Sequence, residues 1–288
     1  MTTVAILGTG RMGSAFAKRL IEVGQPVTVW NRTAAHTDAA AKAGATVVND
    51  IAAAVASDVI LISLTNATAV NAVSVELIKA GISGKLIIDL STLLPDETKA
   101  IGSEITSAGA NFVDCPVGGT VGPALKGLLL GMAGGTEAAF ARAKPILDHL
   151  CKRVELLGPI GAGAHMKLAI NLPLAIYWKT LAEALALLDG SDISTDMAIS
   201  MIADSSAGPA VLKNRAQIVV DTMNGSDQPG TFDIAGLLKD LDLALAHAAK
   251  SGRPMPLSEE TRKSYVDAMS SGLGHFDGAS LTRHLSRT

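Results

Sequence analysis

Gly8-Thr9-Gly10-Arg11-Met12-Gly13 sets three glycines at G-x-G-x-x-G spacing, directly after an apolar run at residues 3–8. A strand that ends in such a turn and opens a helix offers backbone N–H groups and a positive helix end to a phosphate. Gly8 suits the tight turn, Gly10 the close approach of backbone to a pyrophosphate, and Gly13 the packing of helix on strand. Gly8, Gly10, Arg11, Met12 and Gly13 are therefore the first candidates for holding a dinucleotide. An acid about 20 residues further on usually binds the ribose 2′-hydroxyl of NAD. Here Val29-Trp30 runs into Asn31-Arg32-Thr33. Asn31 does not repel a 2′-phosphate. Arg32 can pair with one and stack on adenine, and Thr33 adds a hydroxyl. The trio points to NADP(H).

Ligands in doubly wound sheets sit beyond the carboxyl ends of the strands. Thr65 and Asn66 follow one such end, and Ser91 and Thr92 another. Ser91 and Thr92 either line a nicotinamide pocket or cap the helix that starts near Pro95. Further along, Lys167 and Asn171 are four residues apart and share one helix face. A lysine in an apolar cleft can hand a proton to a carbonyl oxygen, because desolvation lowers its pKa. Taken alone, Lys167 reads as an ordinary lysine with a buried stem. Taken alone, Lys239-Asp240-Leu241-Asp242 reads as a solvated helix face. Two isolated cysteines, Cys115 and Cys151, make neither a disulfide framework nor a zinc cluster, and no metal site is expected.

The elements that must position these residues follow from patterning. The chain has 288 residues, 48% hydrophobic and 18% charged, which argues for packed domains and against disorder. A net charge of −3 gives no electrostatic case for nucleic acid or an anionic membrane. Short apolar runs at 3–8, 27–30, 59–64, 86–89 and 112–114 alternate with helical segments at 34–43, 51–57, 68–80 and 95–108. That alternation predicts an α/β fold, a Rossmann-type doubly wound parallel sheet buried on both faces. After about residue 160 the pattern turns helical: 163–189, 194–203, 208–223, 232–251 and a last helix near 258–271. The expected division is 1–160 for the nucleotide and 161–288 for an all-helical substrate and dimerisation domain, joined at the Gly/Pro-rich segment 158–163. The apolar stretch 168–188 holds Lys179, Glu183 and Pro173, so it reads as a buried helix rather than a membrane span. With no signal-peptide pattern at the start, a soluble cytoplasmic protein is expected. Pro173 predicts a local kink.

Several segments then match one family. They are Gly8 to Ser14; Asp89-Leu90-Ser91-Thr92; Asp114-Cys115-Pro116-Val117-Gly118-Gly119-Thr120; Gly131-Met132-Ala133-Gly134-Gly135; Gly161 through His165-Met166-Lys167 to Asn171; and Phe232-Asp233-Ile234 through Lys239-Asp240-Leu241. In order and spacing the chain resembles the β-hydroxyacid dehydrogenases, which include 3-hydroxyisobutyrate dehydrogenase and the glyoxylate/succinic semialdehyde reductases. The resemblance covers nearly the whole chain. It implies hydride transfer between a nicotinamide and a small β-hydroxy acid or aldehyde-acid. It places the catalytic lysine on Lys167, its supporting asparagine on Asn171, and a second lysine near cofactor and substrate on Lys239. It places the substrate loop on Gly118, Gly119 and Thr120, where the family usually has a serine at the position of Gly118. It also implies a homodimer or higher oligomer. Imine reductases look like relatives with the same plan, but commonly have another residue, often aspartate, in the place of Lys167. A non-catalytic nucleotide-binding module is a third reading, weakened because two enzyme-like domains use up the chain.

Overall fold

The computed structural model describes residues 2–286. Its first compact unit is residues 1–167 and its second residues 168–288.

The first unit opens with β1 (Val4–Leu7), α1 (Arg11–Glu22), β2 (Val27–Trp30), α2 (Asp38–Ala41) and β3 (Thr46–Val47). It continues with β4 (Val59–Ile62), α3 (Ala67–Ala80), β5 (Leu86–Asp89), α4 (Pro95–Ser107) and β6 (Asn111–Asp114). Then come β7 (Val117–Gly118), α5 (Val121–Leu125), β8 (Leu129–Gly135), α6 (Glu137–Leu150) and β9 (Cys151–Gly158). Six strands lie parallel in the order β3-β2-β1-β4-β5-β6. Consecutive residues of one strand enter different cores. Val4 and Ile6 of β1 pack with Phe16 and Leu20 of α1, whereas Ala5 and Leu7 pack with Val70 and Leu77 of α3. Burial on both faces is why these strands read as continuous apolar runs.

Beyond β6 the sheet departs from the expected all-parallel plan. β8 pairs antiparallel with β6 and with β7, and β9 then runs parallel to β8. The loop after β1 lies where the strand order reverses, between β1 and β4, the usual place for a ligand in such sheets. Cys115 and Cys151 are both buried and unpaired, and burial pushes the Cys151 thiol up to about 12.

Helix α7 (Ala162–Ala186) runs without interruption through Pro173. The second unit adds α8 (Thr195–Asp204), α9 (Ala210–Met223), α10 (Ile234–Lys250), α11 (Pro256–Ser270) and α12 (Leu281–Ser286). Trp178, Leu212, Leu237 and Tyr265 are among its fully buried side chains. The Tyr265 hydroxyl donates to the Ala175 carbonyl at 2.8 Å, which satisfies a phenol inside an apolar core. Asp277 is 2% exposed, and the Arg215 guanidinium lies 3.1 Å from its Oδ1. Two short bridges, Pro229 with Phe276 and Asp233 with Asp277, hold the segment after α11 against the loop before α10. Among the described residues, no helix is long and apolar enough to cross a membrane.

Candidate active site

The glycine turn obeys steric limits that can be stated atom by atom. Gly8 has φ +101°, and a Cβ there would stand 2.2 Å from the Ser63 carbonyl oxygen at the end of β4. A Cβ on Gly13 would stand 1.8 Å from the Gly8 carbonyl oxygen. Gly10 is exposed and opens on empty space. Met12 packs against the core from the first turn of α1, while Arg11 is exposed. The Gly8 N–H donates to the Trp30 carbonyl at 2.9 Å, which pins the turn to the end of β2.

Asn31 completes that link. Its Oδ1 accepts from the Thr9 N–H at 3.1 Å, and its Nδ2 donates to the Thr33 carbonyl at 2.9 Å. A carboxylate in its place could accept the first bond but not donate the second. Arg32 and Thr33 are exposed. Beside Thr9 and Gly10 an open pocket is lined by Arg11, Lys18, His36 and Lys42, with Asp38 also on its wall. The buried Thr9 hydroxyl has no hydrogen-bond partner among the described residues. Two glycines without room for a Cβ, an orphaned hydroxyl and a wall bearing Arg11, Lys18 and Lys42 fit a phosphate-bearing dinucleotide.

The next two strand ends are tied together by Ser91. Its Oγ accepts from the Leu64 N–H at 3.0 Å, and its own N–H donates to Asp89 Oδ1 at 2.9 Å. Asn66 caps α3 by accepting from the Ala69 N–H at 2.9 Å, and Thr65 beside it is exposed. Thr92 is half-buried. The cap of α4 comes from Glu97, which reaches back to the Leu94 N–H at 3.0 Å, so Ser91 and Thr92 do not supply it.

At the end of β6 the Asp114 carboxylate is 2% exposed and receives the start of α7. Oδ1 accepts from the Gly161 N–H at 2.7 Å and Oδ2 from the Ala164 N–H at 3.0 Å. Asp89 and Asp114 face each other in register on β5 and β6. Burial pushes both carboxyls up to about 6, partly offset by the N–H groups that each accepts. Lys167, one helical turn along, is 8% exposed, and its Nζ donates to the Val117 carbonyl at 2.9 Å. Val117 precedes Gly118, Gly119 and Thr120. Gly119 has φ +119° and no room for a Cβ against Leu129, so it must be glycine. Gly118 has an ordinary φ, and a Cβ there would meet only normal contacts from Leu130.

In the second unit Asn171, 4% exposed, donates from Nδ2 to Asp240 Oδ2 at 2.5 Å. Lys239 Nζ lies 2.8 Å from Asp240 Oδ1, an ion pair with poor hydrogen-bond direction. Asp240 therefore gathers Asn171 and Lys239, although it is buried where its sequence neighbourhood predicted a solvated face. The sequence reading passed over Asp114, Asp240 and the basic trio Lys18, His36 and Lys42. A signal existed for two of them: Arg11, Ser14 and Lys18 recur at helical spacing on the pocket side of α1, and Asp240 falls in the stripe Ile234, Leu237, Leu241, Ala244.

A Rossmann-type sheet, a glycine turn at its switch point and an all-helical second unit define a nicotinamide-nucleotide oxidoreductase. Residues 3–158 match the NAD-binding domain of 6-phosphogluconate dehydrogenase, and residues 161–285 match the NAD-binding family of NADP-dependent 3-hydroxyisobutyrate dehydrogenase. The chain is 33% identical over 279 residues to glyoxylate/succinic semialdehyde reductase 1 of Arabidopsis thaliana, covering 95% of each chain. It superimposes on 3-hydroxyisobutyrate dehydrogenase of Mycobacterium tuberculosis, solved with L-serine, at TM-score 0.89, with 26% identity and 99% of each chain covered. An imine reductase from Pseudomonas sp. shares the fold at TM-score 0.66 and 20% identity, covering 100% of this chain and 99% of that one. The chain belongs to the β-hydroxyacid dehydrogenase family, whose members are named dehydrogenases and reductases. It is a dehydrogenase or reductase with an NAD(P)-binding domain.

Proposed function

We propose that the chain is an NADP(H)-dependent reductase of a small aldehyde- or keto-acid, working reversibly on the corresponding β-hydroxy acid. When bound, the reduced nicotinamide supplies a hydride to the carbonyl carbon. The chain's own part is to bring a proton to the carbonyl oxygen, and Lys167 Nζ is the donor in this reading. The observation that carries it is the burial of Lys167, with its amine directed to the Val117 carbonyl at 2.9 Å beside the Gly118-Gly119-Thr120 turn. A buried amine is unusual unless it has work to do. Asn171, one turn further along α7, is held by Asp240 and orients the substrate oxygen. By the family resemblance, the 118–120 turn of the first unit serves the substrate carboxylate.

The choice of NADP(H) rests on Asn31, an amide at the position where an acid would bind the ribose hydroxyl of NAD. Arg11, Lys18 and Lys42 supply positive charge for a 2′-phosphate, on a wall that also carries Asp38. The relative in Arabidopsis thaliana carries the name of an aldehyde-acid reductase, which supports the substrate class.

The test is consumption of NADPH and of NADH by the purified protein, and by Lys167→Ala, with short aldehyde-acids and cyclic imines. The expected result is turnover of an aldehyde-acid with NADPH preferred, and a loss of about 10²-fold or more in kcat in the variant. Turnover of imines alone, or an undiminished rate in Lys167→Ala, would sink the reading.

A further inference from the structure

Asp114 is a buried carboxylate that no substrate or nucleotide role requires. Both of its oxygens are spent on the first turn of α7, on the N–H groups of Gly161 and Ala164. A helix start has N–H groups without intrahelical partners, and an anion there is favoured. The chain has removed side chains to let this happen. A Cβ on Gly163 would stand 2.1 Å from the Met132 carbonyl oxygen and 2.8 Å from Asp114 Oδ2. A Cβ on Gly134 would stand 2.5 Å from Asp114 Oδ1. Gly161 has φ +93°, which brings its N–H into the turn. Three glycines, one in β8, one in α7 and one in the turn before it, thus close on one carboxylate.

Ala164 and Lys167 are three residues apart, neighbours on the helix surface. The Lys167 amine then returns to the Val117 carbonyl, three residues beyond Asp114 in the chain. The path from Asp114 through the first turn of α7 to Lys167 and back to Val117 is a closed ring. We propose that Asp114 is the positioning residue that sets where the Lys167 amine sits. It does so by clamping the first turn of α7 to the end of β6. Asparagine cannot replace it: one acceptor oxygen becomes an N–H donor facing another N–H. The catalytic consequence rests on the role of Lys167 proposed above, whereas the clamp itself does not.

The experiment compares wild type with Asp114→Asn, and with Gly163→Ala, which keeps the carboxylate but forces the turn away from it. Lys167 is labelled with a lysine-acylating reagent, and the rate is read by peptide mass spectrometry. Steady-state kinetics and NADPH titration are run on the same samples. In each variant that folds, Lys167 should acylate about tenfold faster, the loss of one charged hydrogen bond being enough to give that factor. kcat should fall by about 10²-fold, as for a misplaced catalytic group. NADPH affinity and substrate KM should hold, whereas a general loss of structure would move all of them. An unchanged acylation rate overturns the clamp. Faster acylation with unchanged kcat overturns the positioning role. Full activity in Lys167→Ala would remove the proton-donor reading while the labelling still decides the clamp.

Discussion

At the scale of single residues, a buried carboxylate is expensive unless its surroundings repay it, and Asp89 shows the cost. It is 1% exposed and accepts the Ser91 N–H. Burial raises its pKa from 3.8 to about 6 in the folded chain. The folded state therefore keeps a proton that the unfolded chain has already lost, so Asp89 stabilises the fold at low pH. That contribution declines as pH rises from about 4 to about 6 and is gone above. Asp89→Asn keeps the acceptor for Ser91 and cannot ionise. The variant should gain stability relative to wild type as pH rises from 4 to 7, by about 3 kcal/mol at most. Urea titrations at several pH values measure the gap, and a gap independent of pH would refute the assignment. Residue identity was legible in the sequence where spacing constrained it. Gly8, Gly10 and Gly13 follow from one motif and Asn31 from its distance to it; the structure gives a steric reason for Gly8 and Gly13 and a hydrogen-bonding one for Asn31, whereas Gly10 faces open space. Asp240 was not legible, because adjacent charges at 239, 240 and 242 suggested a wet surface. Its helical register with Leu237 and Ala244 was the stronger signal.

At the scale of elements, the parallel strands were readable because burial on both faces leaves unbroken apolar runs. β8 was not, since Leu129–Gly135 carries three glycines among its seven residues and shows no strong strand pattern. Those glycines are there for other reasons: Gly131 lies against Val154 and Cys151, and Gly134 against Asp114. Cross-element contact, invisible to local propensity, set the composition. A similar long-range tie secures the end of the helical unit. Asp277 caps a short turn by accepting the Ala279 N–H, and Arg215 of α9 holds both of its oxygens. The ion pair is mostly shielded, with side-chain exposures of 15% and 3%. Removing one partner strands a buried charge, so Arg215→Ala should cost about 3 kcal/mol. Thermal or urea unfolding tests this, and a loss below about 1 kcal/mol, the value of an exposed pair, would contradict it.

At the scale of the whole molecule, the sheet-built unit has a hydrophobic core on each face of its sheet, and the second unit has one core built on helices alone. The change from alternating to purely helical patterning near residue 160 made that architecture legible. The switch to an antiparallel strand was not, because it depends on pairings far apart in sequence. The chain has two tryptophans, and they fall one to each unit. Trp30 is half-buried at the end of β2, and its carbonyl holds Gly8 of the phosphate turn. Trp178 is 1% exposed in the helical core. The protein thus carries a fluorescent reporter in each half. In Trp178→Phe, the remaining Trp30 emission should be quenched on adding NADPH. In Trp30→Phe, the Trp178 emission should stay blue-shifted until the helical unit melts. If Trp30 is blind to NADPH, the nucleotide does not sit against the end of β2. If both signals follow one denaturation curve, the two halves unfold as one; if they separate, each colour change dates the loss of its own core.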